Sequence, residues 1–287
     1  SLRAILEERG CRGHRLGVEW DSYGLTARNG QRLAEALDGF ALLEDASDLV
    51  SRLRLVKSPA EIVYVRRAAV LADGALEEAV RLARPGAEEG AILAAMQGAV
   101  LAGGGDYSGN PFILGSGPGA LLCRSYSGRR RLDARDQLTL EFAGAWRHYH
   151  ACLMRTIRIG RREPAEQAMY AAAHDALLAC EDALRPGRLL GEVFDAHASV
   201  LDRAGMGAHR LNACGYSLGA LFQPNWMDWP MLYRANPVAV EPGMVFFLHM
   251  ILMNSDQGIA VTLGRTSLIG PTGAEPLSRA SLDPIVV

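Results

Sequence analysis

An α+β fold built around a duplicated helix–helix–strands unit is predicted by three features of the 287-residue sequence. The first is a helix start at Ser58-Pro59-Ala60-Glu61. Ser58 can cap the helix, Pro59 takes its first position, and Glu61 can reach back to the Ser58 amide. The second is an internal repeat. ALEEAVRLARPGAEEGAIL at 75–93 resembles ALLACEDALRPGRLLGEVF at 176–194. Ala75, Leu76, Arg84, Pro85, Gly86 and Gly90 match Ala176, Leu177, Arg185, Pro186, Gly187 and Gly191 at an offset of 101. The third is a set of strand-like runs after each copy, at 111–114 and 137–159 in the first half and at 209–222 and 243–269 in the second. Such a duplication predicts strands paired into a curved sheet, helices packed outside it, and a cleft between the halves.

Near the N-terminus, GVEW at 17–20 predicts a short strand, and RNGQRLAEAL at 28–37 a helix. Residues 1–57 are read as the end of a small N-terminal domain with its linker, and 58–287 as the main domain. From Ser58 onward, Ile62, Val65, Ala69, Ala72, Leu76 and Ala79 form a helical apolar stripe. Each long helix of the repeat ends at Arg-Pro-Gly, where Pro cannot continue it and Gly suits the left-handed conformation. A second amphipathic helix comes next in each copy, ending near Gly103-Gly104 and at Gly205. GSGPGA at 115–120 lacks the GK[ST] of a phosphate loop and is read as a connection between strands. Arg129, Arg130 and Arg131 are read as a solvated turn.

Composition narrows the function. Hydrophobic residues make up 49% and charged residues 22%, so the chain has apolar area enough to offset its entropy on folding. A net charge of -2 provides no broad basic face for nucleic acid. No apolar run reaches the length of a membrane span, and charges interrupt any signal-like segment at the N-terminus. Five scattered cysteines without CxxC spacing read as reduced thiols, which places the protein in the cytoplasm.

VKSPAEIVYVRRAA with the duplicated unit after it resembles the pita-bread fold of the creatinase, aminopeptidase P and methionine aminopeptidase superfamily, over residues from about 50 to 280. That resemblance implies a mainly antiparallel curved sheet and a homodimer. It also implies a preceding creatinase-type domain more than twice as long as the 57 residues here, so the chain is a fragment or that domain is cut down. Peptidase members of the superfamily bind two metal ions through two Asp, one His and two Glu. The hairpin carrying both Asp residues is similar to EFAGAWRHYHACLMRT at 141–156, which puts Glu141 and Cys152 at those positions and retains Arg155-Thr156. The His segment reads GYSLG here, with Tyr216 in its place. A GMVF segment puts His249 at the first Glu position, and the last falls near Gly264.

Only one of those five positions remains a carboxylate, whereas hard divalent cations need several negative oxygens. The pattern is similar to the ectoine hydrolase and creatinase branch, with its YHA-type strand, GYSLG and a later PNW. It implies metal-independent hydrolysis of a C–N bond in a small ectoine-, creatine- or amidine-like substrate, with no cofactor. A divalent metal ion is the runner-up, and the set Cys152, His249 and Glu141 would accept one soft ion such as zinc. A metal-dependent Xaa-Pro peptidase and a catalytically silent binding module are the competing functions.

The chemistry expected of the residues is specific. Alternation along a strand would put His148, His150 and Cys152 on one face, with Glu141 on the preceding strand if the hairpin turns within 144–147. His150 or His249 is the candidate base for water or for a Cys152 nucleophile. Glu141 would bind the substrate cation and shuttle a proton. Tyr216 would donate to the substrate, Trp226 would stack on a planar cation, and Arg155 would hold a carboxylate.

Overall fold

The computed structural model describes residues 1–124 and 128–287. It divides into two compact units, Ser1–Arg54 and Leu55–Val287. In the first unit, α1 (Leu2–Glu8) precedes β1 (Arg15–Val18), α2 (Ala27–Leu37), β2 (Leu42–Asp45) and α3 (Ser47–Leu53). β1 and β2 pair in parallel with α2 as the crossover between them. The sequence showed β1 and α2; α1, β2 and α3 are short and carry little periodic signal.

The second unit opens with α4 (Pro59–Leu82). Its capping box is formed: Ser58 Oγ accepts from the Glu61 amide, and the Ser58 amide donates to Glu61 at 2.8 Å. The predicted stripe is buried from Val65 to Ala79, with Ile62 half-buried. α5 (Glu89–Ala102), β3 (Ile113–Ser116), β4 (Asp136–Trp146) and β5 (Tyr149–Ile159) complete the first half. α6 (Pro164–Ala183), α7 (Leu190–Arg203), β6 (Ala213–Ser217), β7 (Asp228–Tyr233), β8 (Val245–Asn254) and β9 (Ile259–Ile269) form the second. Short β10 (Ala274–Pro276) and β11 (Ile285–Val286) pair with β9 and β5.

The strand order β3-β4-β5-β9-β8-β6-β7 makes the duplication visible. Hairpin β4–β5 and hairpin β8–β9 meet at the β5–β9 seam, and β3 and β6 flank them as equivalents. The two Arg-Pro-Gly turns match as well. Gly86 and Gly187 have φ of 81° and 87°, and their amides donate to Leu132 O at 2.8 Å and Val240 O at 2.9 Å. α4 packs on the β4–β5 hairpin and α6 on the β8–β9 hairpin, each beside its partner helix, and of the two core clusters the first also takes in Tyr216, Trp226 and Phe247 from the second half.

The β4–β5 hairpin turns at Arg147-His148, both with positive φ, at the far edge of the expected window. Gly144 lies within β4 because α4 crosses it there: a Cβ would sit 2.0 Å from Ala68 O. After the PNW segment, β7 begins at Asp228. Arg130 is not merely solvated, since its guanidinium bonds Ser116 Oγ at 2.8 Å and pairs with Asp136. No helix of the described residues is long and apolar enough to cross a membrane.

Candidate functional site

The five positions of interest come from five strands of the sheet: Glu141 from β4, Cys152 from β5, Gly264 from β9, His249 from β8 and Tyr216 from β6. Sheet curvature closes the distance between its two sides. Tyr216 Oη donates to Glu141 Oε1 at 3.0 Å although β4 and β6 are not neighbours in the sheet. Trp226 Nε1 in turn donates to Tyr216 Oη at 2.8 Å. The result is a buried relay from indole to phenol to carboxylate.

Glu141 is the electrostatic centre. It is 9% exposed and has no salt bridge among the described residues. Burial pushes its carboxyl up to about 7, against the opposing pull of the Tyr216 hydrogen bond and of Arg124. It lines a tight cavity of about 10 Å³ with Cys123, Thr139 and Met154, among others, which is room for one water. Tyr216 stays protonated because burial and the Glu141 charge both push its hydroxyl well above its ordinary value.

Cys152 adjoins this relay but lacks the setting of a nucleophile. It is fully buried, and burial together with the Glu141 charge raises its thiol well above the ordinary value. A reactive cysteine needs the opposite environment. Its backbone is pinned by Thr266, whose Oγ1 accepts from the Cys152 amide at 2.8 Å and donates to its carbonyl at 2.9 Å.

The histidines separate. His148 sits in the turn rather than on the strand face. His150 is fully buried, and both ring nitrogens meet backbone: Nε2 accepts from the Gly109 amide at 2.8 Å, and Nδ1 faces Gly219 O at 3.4 Å. Burial lowers it to about 4. The expectation of a base at His150 is corrected, because its lone pair already holds the 105–112 loop. His249 fits better. Its ring lies 5.6 Å from that of Tyr216, and its buried Nδ1 has no partner among the described residues. Burial, then His197, lowers it to about 4, so the ring is neutral near pH 7.

Arg155 and Trp226 also change role. The Arg155 guanidinium is buried against backbone, with Nη1 donating to Met154 O and Gly264 O and Nη2 to Ala280 O and Ser281 O. That places it as a clamp on the C-terminal segment rather than a ligand for a substrate carboxylate. Trp226 has no exposed surface and holds Tyr216 instead of offering its ring as a platform.

Sequence reasoning missed Cys123 and His197. Cys123 lies just after the Gly-rich connection, whose 117–121 stretch is a 3-10 turn, and only the fold brings it to the Glu141 cavity. His197 lies on α7, 1% exposed, with no partner for Nδ1 among the described residues. Its helical spacing resembles that of any core residue, so no local signal marks it.

The donor set does not fit a carboxylate-bridged dinuclear centre. Among the described residues no three His, Cys, Asp or Glu side chains are grouped to hold a metal ion, Glu141, Cys152 and His249 included. At Gly264 a Cβ would lie 2.5 Å from Leu248 O, so the backbone leaves no space for a ligand side chain there.

A model of metallopeptidase family M24 matches residues 63–271. The chain is 31% identical to an uncharacterized hydrolase/peptidase of Sinorhizobium fredii, over 99% of this chain and 73% of that one. It is 29% identical to the ectoine hydrolase of Halomonas elongata, over 96% of this chain and 71% of the relative. The solved Xaa-Pro dipeptidase of Bacillus anthracis superposes with a TM-score of 0.89 at 23% identity, covering all of this chain and 78% of that one, which confirms the pita-bread fold. The match overturns the expectation of a protein that needs no cofactor, because the family is one of metallopeptidases. The changed residue types at the other four positions, Cys152, Tyr216, His249 and Gly264, leave that correction standing. On the family model and on relatives matched across nearly its whole length, the chain belongs to metallopeptidase family M24.

Proposed function

We propose that the protein hydrolyses a C–N bond in a small nitrogenous compound of the amidine, guanidine or cyclic-amidine class, with Glu141 as its acid–base group. The observation that carries this reading is the Glu141 carboxyl, buried beside a small cavity and raised to about 7. A group poised near neutrality can both take a proton from water and give one to a leaving nitrogen. As a carboxylate it complements a flat substrate cation; as an acid it can protonate the departing amine. Tyr216, kept protonated and oriented by Trp226, fixes which Glu141 oxygen faces the relay. His249 supplies a neutral imidazole beside Tyr216. The 29% identity to an ectoine hydrolase supports the substrate class.

The test is turnover on a panel of cyclic amidines, guanidino acids and Xaa-Pro dipeptides, each with chelator and with added divalent metal. Turnover of an amidine or guanidine that disappears in Glu141→Gln supports the reading. Turnover of Xaa-Pro dipeptides alone replaces it with a peptidase.

A further inference from the structure

We propose that the cavity between the 105–112 loop and α5 is a binding site for a small organic monocation, distinct from the Glu141 cavity. It has a volume of about 160 Å³ and is lined by Gln97, Asp106, Tyr107, Asn110, Phe112 and Gln223, among others. That is roughly the size of an apolar cavity able to take one benzene ring.

Its chemistry selects the ligand. Among the described residues Asp106 is the only charged side chain in the lining, so the cavity carries one negative charge and no positive one. Tyr107 and Phe112 contribute aromatic rings, which attract a cation through their faces. Gln97, Asn110 and Gln223 are amides that can accept from a polyvalent N–H head group. Val100 and Leu101 of α5 supply an apolar wall for the rest of the molecule. An amidinium or ammonium on a short flat body satisfies all four features.

The site is held in shape before any ligand arrives. Asp106 Oδ2 accepts from the His148 amide at 3.1 Å, and the Asp106 amide donates to Ala145 O at 2.9 Å. Gly109 is tied to His150 Nε2 at 2.8 Å. This gives the buried, neutral His150 a purpose: it fixes the loop that carries the carboxylate. Preorganisation of this kind lowers the ordering cost of binding.

Benzamidine is the probe, with benzamide and benzoate as neutral and anionic controls, titrated by calorimetry and by ligand-observed NMR. Wild type should bind benzamidine saturably at about 1 mM or tighter, about tenfold or more tighter than either control. Asp106→Asn keeps an acceptor for the His148 amide and should weaken benzamidine at least tenfold, to the level of benzamide. Leu101→Trp fills the apolar wall and should abolish binding. Asp256→Asn, in the exposed turn between β8 and β9 and outside both cavities, should leave the affinity within about twofold. No saturable binding, equal affinity for benzoate, or loss of binding in Glu141→Gln with retention in Asp106→Asn would each overturn the proposal. The last outcome puts the probe in the Glu141 cavity. Because binding is read without turnover, failure of this site and failure of the hydrolase reading are separate results.

Discussion

The two halves of the main domain share a backbone plan, yet only the first places a buried acid at the point where the sheet's two sides meet. The first half, α4 and α5 with the β3–β5 strands, buries the acid Glu141, held at about 7, and His150, held at about 4 with its ring nitrogens on backbone. The second, α6 and α7 on the β6–β9 strands, buries His197 and His249, both held at about 4. In each case desolvation disfavours the charged form, and the sign of the shift is set by the chemistry of the group. A duplicated scaffold therefore does not duplicate its site. The relay runs across the halves, with Glu141 from one and Tyr216 and Trp226 from the other.

The strongest way to break this comparison is to remove its acidic member. Glu141→Gln keeps an acceptor for Tyr216 and should lower turnover on the responsive substrate by about 10²–10⁴-fold, the usual share of a general acid–base group. Circular dichroism should show an unchanged fold, while wild-type-like turnover would take Glu141 out of the mechanism. A second substitution separates packing from chemistry. Gly144→Ala forces a Cβ to 2.0 Å from Ala68 O, so α4 must move, at a cost of about 3 kcal/mol or more in denaturant unfolding. A stability near wild type would mean that α4 does not seat on β4 at this glycine.

The pH dependence of stability should carry both signs at once. Glu141 is protonated in the fold up to about 7 but only to 4.5 when unfolded. Its contribution is fully present below pH 4.5 and is lost as pH rises to 7, by up to about 3 kcal/mol. His197 and His249 stay neutral in the fold down to about 4 but take protons near 6.5 when unfolded. Their contribution is present above pH 6.5 and is lost as pH falls to 4, by up to about 3 kcal/mol each. Urea midpoints measured from pH 4 to 8 check this: Glu141→Gln should flatten the alkaline fall and His249→Gln the acid one. If either substitution flattens the other limb, the assignment of the two limbs to these groups is wrong.

The smallest effect concerns the duplication itself. Gly86→Ala and Gly187→Ala each place a side chain at positive φ with open space around it, and each should cost about 1 kcal/mol. Costs that differ several-fold would show that the two turns are not equivalent.

Much of this fold can be read from the sequence because its signals are local. The Ser58-Pro59 start, the paired Arg-Pro-Gly stops and the 101-residue offset each depend on neighbours along the chain. The site is less legible because its defining contacts are not local. Alternation put His150 and Cys152 on one face but said nothing of the Gly109 amide that occupies His150 or of the burial that keeps the Cys152 thiol protonated. Arg155 looked like an anion holder until the C-terminal carbonyls closed around it. Glu141 and Tyr216 were singled out separately, and sheet curvature is what joins them.

The most direct test of the central claim needs no substrate. Protein labelled with ¹³C at the glutamate side-chain carboxyls can be titrated by NMR, with Glu141→Gln identifying the resonance. A carboxyl that titrates near pH 7, and that moves when Tyr216→Phe removes its donor, is the predicted result. A midpoint at the ordinary value of 4.5 would contradict the account, since Glu141 would then be a solvated carboxylate with no special role at neutral pH.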